Sequence, residues 1–341
     1  MFAEKILFIQ TAFLGDAILS LPAIQKLKEL NSSMNIDVLC IPETKVIFES
    51  SMCVNEAIVV DKKGKHKSIF KTYSLVSALK NNGYTRIYSA HRSFRTALIV
   101  LLLGVRESYG FDNSNLMHVY KNLITYDINK HEVQRNLDLV GISYDDKSWK
   151  IPPKLTVNDS VKSTVSEFVY ANNLSNGFVA ISPGSVWETK RYPIEYFRVI
   201  IKHFIDKGNK VVVIGGKSEE TLCDNLINGN ENVFNAAGKF SVIESIELLK
   251  FSKLLISNDS APTHMAMSAE IKTLTIYCST IPEFGFYPYN DLSLSISFND
   301  LKCKPCGIHG YQECPIKTFD CGLKLLPEKV ILKAEEILGE C

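Results

Sequence analysis

Read for its apolar positions, the chain switches between two periods. A strand is predicted over 6–10. A helix follows over 16–30, where Ile18, Leu19, Leu21, Ala23, Ile24 and Leu27 share one broad face. The pattern then predicts strands over 36–41, 57–60 and 86–89 and helices over 68–80 and 94–103. A polar stretch over 141–158, with Pro152 and Pro153, interrupts it and reads as a linker. The alternation restarts with strands over 178–182, 210–214, 254–257 and 273–277 and helices over 193–207 and 327–338. Pro193 suits a first helical turn and Gly208 a helix stop. Strand–helix alternation implies a parallel sheet covered on both faces, and here it occurs twice. The expected fold class is therefore α/β, with Rossmann-like domains over 1–155 and 156–325 and a terminal helix over 326–341. Ligands of such sheets bind beyond the carboxyl ends of the strands, so two facing sheets are expected to place the site in the cleft between them.

Bulk properties narrow the classes. With 341 residues, 46% hydrophobic and 22% charged, the composition is that of a globular protein of two ordinary domains. The net charge of +1 lacks the basic excess of a nucleic-acid binder. The first ten residues carry no secretory signature. The longest apolar run, ALIVLLLGV over 97–105, is about half the ~20 residues of a membrane span, so it reads as a buried helix. A cytoplasmic protein is expected, with any membrane contact peripheral, at the inner face of the inner membrane. Five of the nine cysteines are scattered (Cys40, Cys53, Cys223, Cys278 and Cys341), and four cluster between Cys303 and Cys321. That usage reads as reduced thiols.

Four segments carry candidate chemistry. In the first, TAFLGD over 11–16, Gly15 permits a tight turn and Asp16 stands at a helix start. Asp16 reads either as a helix cap or as a general base that takes the proton of an attacking hydroxyl, and the two roles are compatible. The single glycine excludes a dinucleotide fingerprint. In the second, SPGSVWETKRYP over 182–193, a strand end, a Gly-Ser turn and a Lys-Arg pair suit a phosphate or diphosphate, against a solvated basic pair. The third, SNDSAPTH over 257–264, sets Asp259, Ser260 and His264 at another helix start; these are caps and a core histidine, or part of a nucleotide-sugar site. The fourth is Cys303-x2-Cys306-x7-Cys314-x6-Cys321. Its first pair has zinc-ligand spacing, and its second is wider than in a zinc ribbon. A structural zinc and free thiols packed in a loop both remain open, and a catalytic role is not expected.

Together these segments resemble the heptosyltransferases of glycosyltransferase family 9. The resemblance rests on KILFIQTAFLGDAILSLPAIQKLK, PGSVWETKRYP, NAAGKFSVIESIELL and NDSAPTHMA, which occur in the family's order, and it runs over nearly the whole chain. The region over 279–289 and the cysteines after it are most similar to the heptosyltransferase II branch. The resemblance implies a GT-B fold, an ADP-heptose donor, a lipid A–core lipopolysaccharide acceptor, inversion at the anomeric carbon and no cofactor for catalysis. It implies Asp16 as base, with Ser185, Thr189, Lys190, Asp259, Ser260 and His264 around the donor. The chain departs from the family in having Ala261 where glycine is usual, which bears on how closely a phosphate approaches the backbone. His91, Arg92 and Arg95, just after a first-domain strand, are candidates for acceptor phosphates, against a solvated basic helix face. The alternatives are another nucleotide sugar on the same fold, or a nucleotide-sugar binding protein without catalysis.

Overall fold

The computed structural model describes residues 4–227 and 229–339; the side chains of Ile69 and Phe70, and Cys341, lie outside the described residues. The chain divides into two compact units, Met1–Thr156 and Val157–Cys341.

Among the described residues, the first unit is built on a six-stranded sheet: β1 (Lys5–Ile9), β2 (Asn35–Cys40), β3 (Glu56–Val59), β4 (Arg86–Ser89), β5 (Glu107–Phe111) and β6 (Asn122–Ile124). Its helices are α1 (Leu14–Leu30), α2 (Lys45–Glu49), α3 (Ile69–Lys80), α4 (Phe94–Leu103) and α5 (Glu132–Leu139). Every pairing is parallel and the order is β3-β2-β1-β4-β5-β6. That order reverses direction between β1 and β4, which makes their carboxyl ends the topological switch point. The core between sheet and helices gathers Leu7, Ile9, Leu39 and Ile87 against Val76, Leu79, Ala97, Val100 and Leu103. The apolar run over 97–105 is thus mostly buried in α4 but leaves Leu101 exposed, and it stops at Gly104 in the left-handed conformation.

The second unit repeats the plan. Its strands are β7 (Phe178–Ser182), β8 (Val211–Val213), β9 (Val233–Asn235), β10 (Ser252–Asn258), β11 (Thr273–Tyr277) and β12 (Leu294–Ser297). Its helices are α6 (Asp159–Ala171), α7 (Ile194–Asp206), α8 (Glu220–Ile227), α9 (Val242–Leu249), α10 (Ala261–Ala269), α11 (Asp320–Leu323) and α12 (Pro327–Leu338). The parallel order β12-β11-β10-β7-β8-β9 is the first unit's order counted from its own first strand, so the switch point lies between β7 and β10. β7 is buried at every position, as a central parallel strand must be. In α7, Phe197, Ile200, Ile201 and Phe204 recur at helical spacing and face the core. α12 packs on α7 and β10–β12 and belongs to this unit's core.

Candidate active site

The switch points collect the chemistry-bearing segments. In the first unit β1 delivers the chain to Thr11 and β4 delivers it to His91. α1 begins two residues earlier than the periodicity predicts, with Phe13 at the N-cap and no side-chain cap bond. Asp16 is therefore the third helical residue, not the cap. The backbone N–H groups of Phe13 and of Asp16 itself favour its ionised form. Gly15 is an ordinary helical residue of the first turn rather than a left-handed hinge, so the turn is made by the extended Phe13. Burial and the neighbouring Glu132 carboxylate push the Asp16 pKa up to about 7, against the pull of the two N–H groups and of Arg92.

Glu132 opens α5, and α5 packs along α1. Asn136 ties the two helices together by donating from Nδ2 to the Leu19 carbonyl at 3.4 Å. Behind Glu132 lies Arg135, almost fully buried, with every edge of its guanidinium engaged. It pairs with Glu132 at 3.0 Å and donates to the carbonyls of Asp127 (2.9 Å) and Ile128 (2.8 Å) and to the Tyr126 hydroxyl (3.0 Å). The Tyr126 ring is flanked by two cations, Arg92 at 4.0 Å and Arg135 at 4.7 Å from its centroid. Sequence reasoning missed Glu132, Arg135 and Tyr126; the Glu-x-x-Arg spacing of one helical turn was the available signal.

The three tentative acceptor residues separate. Arg92 stacks on Tyr126. Arg95 is occupied in holding a loop, with Nη1 on the His66 carbonyl (3.0 Å) and Nη2 on that of Lys67 (3.3 Å). At His91 the ring is uncharged. Burial, Lys62 and Arg92 hold its pKa down at about 4, so the ring is neutral. Its Nδ1 lies 2.8 Å from Thr11 Oγ1 and 3.0 Å from Thr96 Oγ1. Lys62, not foreseen, reaches the Thr11 carbonyl (2.9 Å) and hydroxyl (2.8 Å), and burial lowers its pKa to about 8.

In the second unit the ends of β7 and β10 hold each other. Asn258 donates to the Pro183 carbonyl (2.7 Å) and accepts from the Tyr192 N–H (3.0 Å). Lys190 meets Asp259 at 2.6 Å, and the second contact on that carboxylate is the Thr280 hydroxyl at 2.7 Å. Ser260 leans on the Gly184 carbonyl at 3.4 Å. At Gly184 an added Cβ would fall 1.6 Å from Glu219 Oε1, so a side chain there would displace the Glu219 carboxylate. His264 is buried, and its Nδ1 has no partner among the described residues. Burial holds its pKa at about 4 and leaves the ring neutral. Ser185 is buried and accepts from the Trp187 N–H at 3.3 Å. Thr189 is buried. Its hydroxyl accepts from the Tyr311 N–H (2.8 Å) and donates to the Tyr311 carbonyl (3.1 Å), so it anchors a loop.

That loop carries the clustered cysteines. Cys303, Cys306, Cys314 and Cys321 all line one cavity of about 250 Å³. Among the described residues no three Cys, His, Asp or Glu side chains already converge as a preformed metal centre, and the eight described cysteines are unbridged. A separate cavity of about 360 Å³ beside Thr189 and Arg191 is bordered by none of Lys190, Asp259 or His264, so it is not read as the donor pocket.

Two doubly wound units with acidic and basic groups at both switch points place ionisable side chains where ligands of such sheets bind, and the comparisons give the class. Residues 72–315, well over half of the chain, match the profile of glycosyltransferase family 9 (heptosyltransferase). The chain belongs to that family and is a glycosyltransferase. It is 25% identical to lipooligosaccharide heptosyltransferase 2 of Campylobacter jejuni subsp. jejuni serotype O:2, over 98% of each chain. It is 23% identical to lipopolysaccharide heptosyltransferase 2 of Escherichia coli K12, over 82% of this chain and 84% of that one. The fold is shared with the E. coli ADP-heptose lipopolysaccharide heptosyltransferase II (TM-score 0.79, 20% identity, 98% and 99% covered). It is also shared with a family 9 glycosyltransferase of Veillonella parvula DSM 2008 (TM-score 0.85, 20% identity, 99% and 98% covered). These likenesses place the fold in the GT-B class. Among the described residues no helix is long and apolar enough to cross a membrane.

Proposed function

We propose that this glycosyltransferase moves a heptose from ADP-heptose to the inner core of lipopolysaccharide with inversion at the anomeric carbon. The donor and acceptor are those in the names of the relatives, which the chain matches over nearly its whole length. The observation that carries the chemistry is Asp16. A carboxyl group with a pKa of about 7, at the switch point of the first unit, is matched to taking a proton from a hydroxyl near neutral pH. In the proposed step the acceptor oxygen attacks the anomeric carbon and gives its proton to Asp16. The bond from that carbon to the diphosphate breaks, and ADP leaves with the electron pair. Direct attack from the face opposite the leaving group inverts the centre.

In this reading the second unit holds the donor. Lys190, steadied by Asp259, meets the negative charge that grows on the departing diphosphate. Ser185, Ser260 and the start of α10 offer hydroxyls and backbone N–H groups to the same phosphates. The neutral His264, with Nδ1 unpartnered, gives the donor a hydrogen-bonding group without adding charge. Thr189 acts by holding the turn that aims Lys190. The proposed chemistry requires no metal ion.

The test is transfer from ADP-heptose to a heptose-deficient core acceptor, with the new anomeric linkage read by NMR and ADP, UDP and GDP compared by calorimetry. Inverted product and preference for ADP are expected. UDP binding as well as ADP does would overturn the donor assignment, and a retained configuration would overturn the single-displacement step.

A further inference from the structure

The cysteine loop is not used by the proposed transfer, yet it is fastened to the turn that carries Lys190. Thr189 and Tyr311 exchange backbone and side-chain bonds in three places: Thr189 N–H to the Tyr311 carbonyl (3.0 Å) and the two hydroxyl bonds. Cys306 N–H donates to the Ser279 carbonyl at 2.8 Å, and Gln312 Nε2 to that of Val186 at 3.0 Å. Gly310 passes so close that an added Cβ would lie 2.8 Å from Thr189 Oγ1 and 2.9 Å from Ser279 Oγ. A segment so tightly tied to a functional turn, but made of turns rather than helix or strand over residues 302–319, has little regular backbone bonding of its own to keep it in shape.

What the segment does have is four thiols around one cavity of about 250 Å³. Two of them sit on tight turns. In one, Cys306 donates to the Cys303 carbonyl at 3.6 Å. In the other, the Lys317 N–H donates to the Cys314 carbonyl at 3.0 Å. A cation is in place nearby: Lys304, beside Cys306 and Cys321, is held by the carbonyls of Tyr277 (2.8 Å) and Phe298 (3.2 Å) and by the Ser297 hydroxyl. Among the described residues it forms no ion pair, so its charge is free to offset thiolates.

We propose that Cys303, Cys306, Cys314 and Cys321 form a site for a thiophilic divalent cation, Zn²⁺ by preference, which fixes the loop and through it the Thr189–Lys190 turn. Four sulfurs at ~2.3 Å from one ion satisfy tetrahedral zinc. The sulfurs do not yet converge, and closure takes rotation of side chains about the cavity, led by the exposed Cys303. Each coordinating thiol loses its proton to solvent as its bond to the metal forms. The net negative charge of a four-thiolate zinc centre is partly offset by Lys304. The cation is structural, and the proposal stands independently of the donor and acceptor.

The full chain, freed of metal by a chelator, is titrated with Zn²⁺ in competition with a chromophoric chelator, and with Co²⁺ to read the sulfur-to-cobalt charge-transfer band. About one equivalent is expected per chain. Cys314→Ser and Cys303→Ser weaken it by about ten-fold or more, and the double variant abolishes the band. Cys53→Ser, outside the loop, leaves it intact. Because Cys303 is exposed, its replacement tests the site without disturbing the core. Hydrogen exchange at the Thr189 and Tyr311 amides slows several-fold when metal is added. Absence of stoichiometric binding, equal binding by the variants, or exchange indifferent to metal would each overturn the proposal.

Discussion

Asp16→Asn removes one proton acceptor and little else. Asparagine keeps the size of the side chain and a carbonyl oxygen that can face the same backbone N–H groups, so little change in the first turn of α1 is expected. Loss of a general base lowers turnover by about 10²–10⁴-fold. The wild-type profile carries its own signature. With the Asp16 pKa at about 7, roughly a tenth of molecules are ionised one unit below it and nine-tenths one unit above. Turnover should therefore rise about ten-fold across that span and level off. The same shift has a sign for stability. Asp16 binds its proton more tightly folded than unfolded, so the contribution is full below the unfolded value of 3.8 and is lost as pH rises through about 7. A shift of about three units caps the loss at ~4 kcal/mol. Asparagine cannot ionise, so the variant should match the wild type in acid and be the more stable of the two in mild alkali. The assay is ADP release at saturating donor from about pH 5.5 to 8.5, with urea melts at both ends. Near-normal turnover of Asp16→Asn, or a wild-type profile flat through neutrality, would refute the role of base.

Three further outcomes are expected. Lys190→Ala should weaken ADP by about ten- to a hundred-fold, the value of a charge-assisted bond of roughly 1.5–3 kcal/mol, as measured by calorimetry. Wild-type affinity would reduce Lys190 to a partner of Asp259. Glu132→Gln should move the acid limb of the rate profile to lower pH, because it removes the carboxylate that helps raise the Asp16 pKa; an unmoved limb would leave burial as the sole cause. Arg135→Met should cost about 3–5 kcal/mol in chemical denaturation, since it leaves Glu132 buried without its cation. The double change Glu132→Gln with Arg135→Met should recover part of that loss.

Legibility in the sequence followed the physics of burial. β7 is apolar up to its last residue and β10 over Leu254–Ile256, because parallel strands are covered on both faces, so their ends, and the motifs at those ends, could be placed. β5 and β6 could not. Glu107–Phe111 mixes charge and glycine, and Asn122–Ile124 is three residues long. Helices α6, α8 and α9 and strands β9 and β12 were also passed over, being short or polar on one face. α5 is the instructive case. Its buried face includes Glu132, Arg135 and Asn136, so hydropathy misses a helix whose interior is held by hydrogen bonds. The motif residues were found, but their partners decide what they do. Only the fold reveals that Thr189 is tied to Tyr311, that Arg95 is occupied by a loop, and that His91 is neutral.

The contact between Lys62 and Thr11 has a consequence for that histidine. An ammonium group can only donate, so the Thr11 oxygen accepts a hydrogen bond from Lys62 while it meets His91 Nδ1. Nδ1 is shared between the Thr11 and Thr96 hydroxyls in either tautomer, because a hydroxyl can donate or accept. The lysine, with a pKa of about 8, helps to keep neutral a ring it does not touch. From about pH 5 upward, the end of β4 presents an uncharged imidazole. A group of that kind discriminates by shape and lone pair rather than by charge, favouring a sugar hydroxyl or carbonyl oxygen and taking no part in the pH response governed by Asp16.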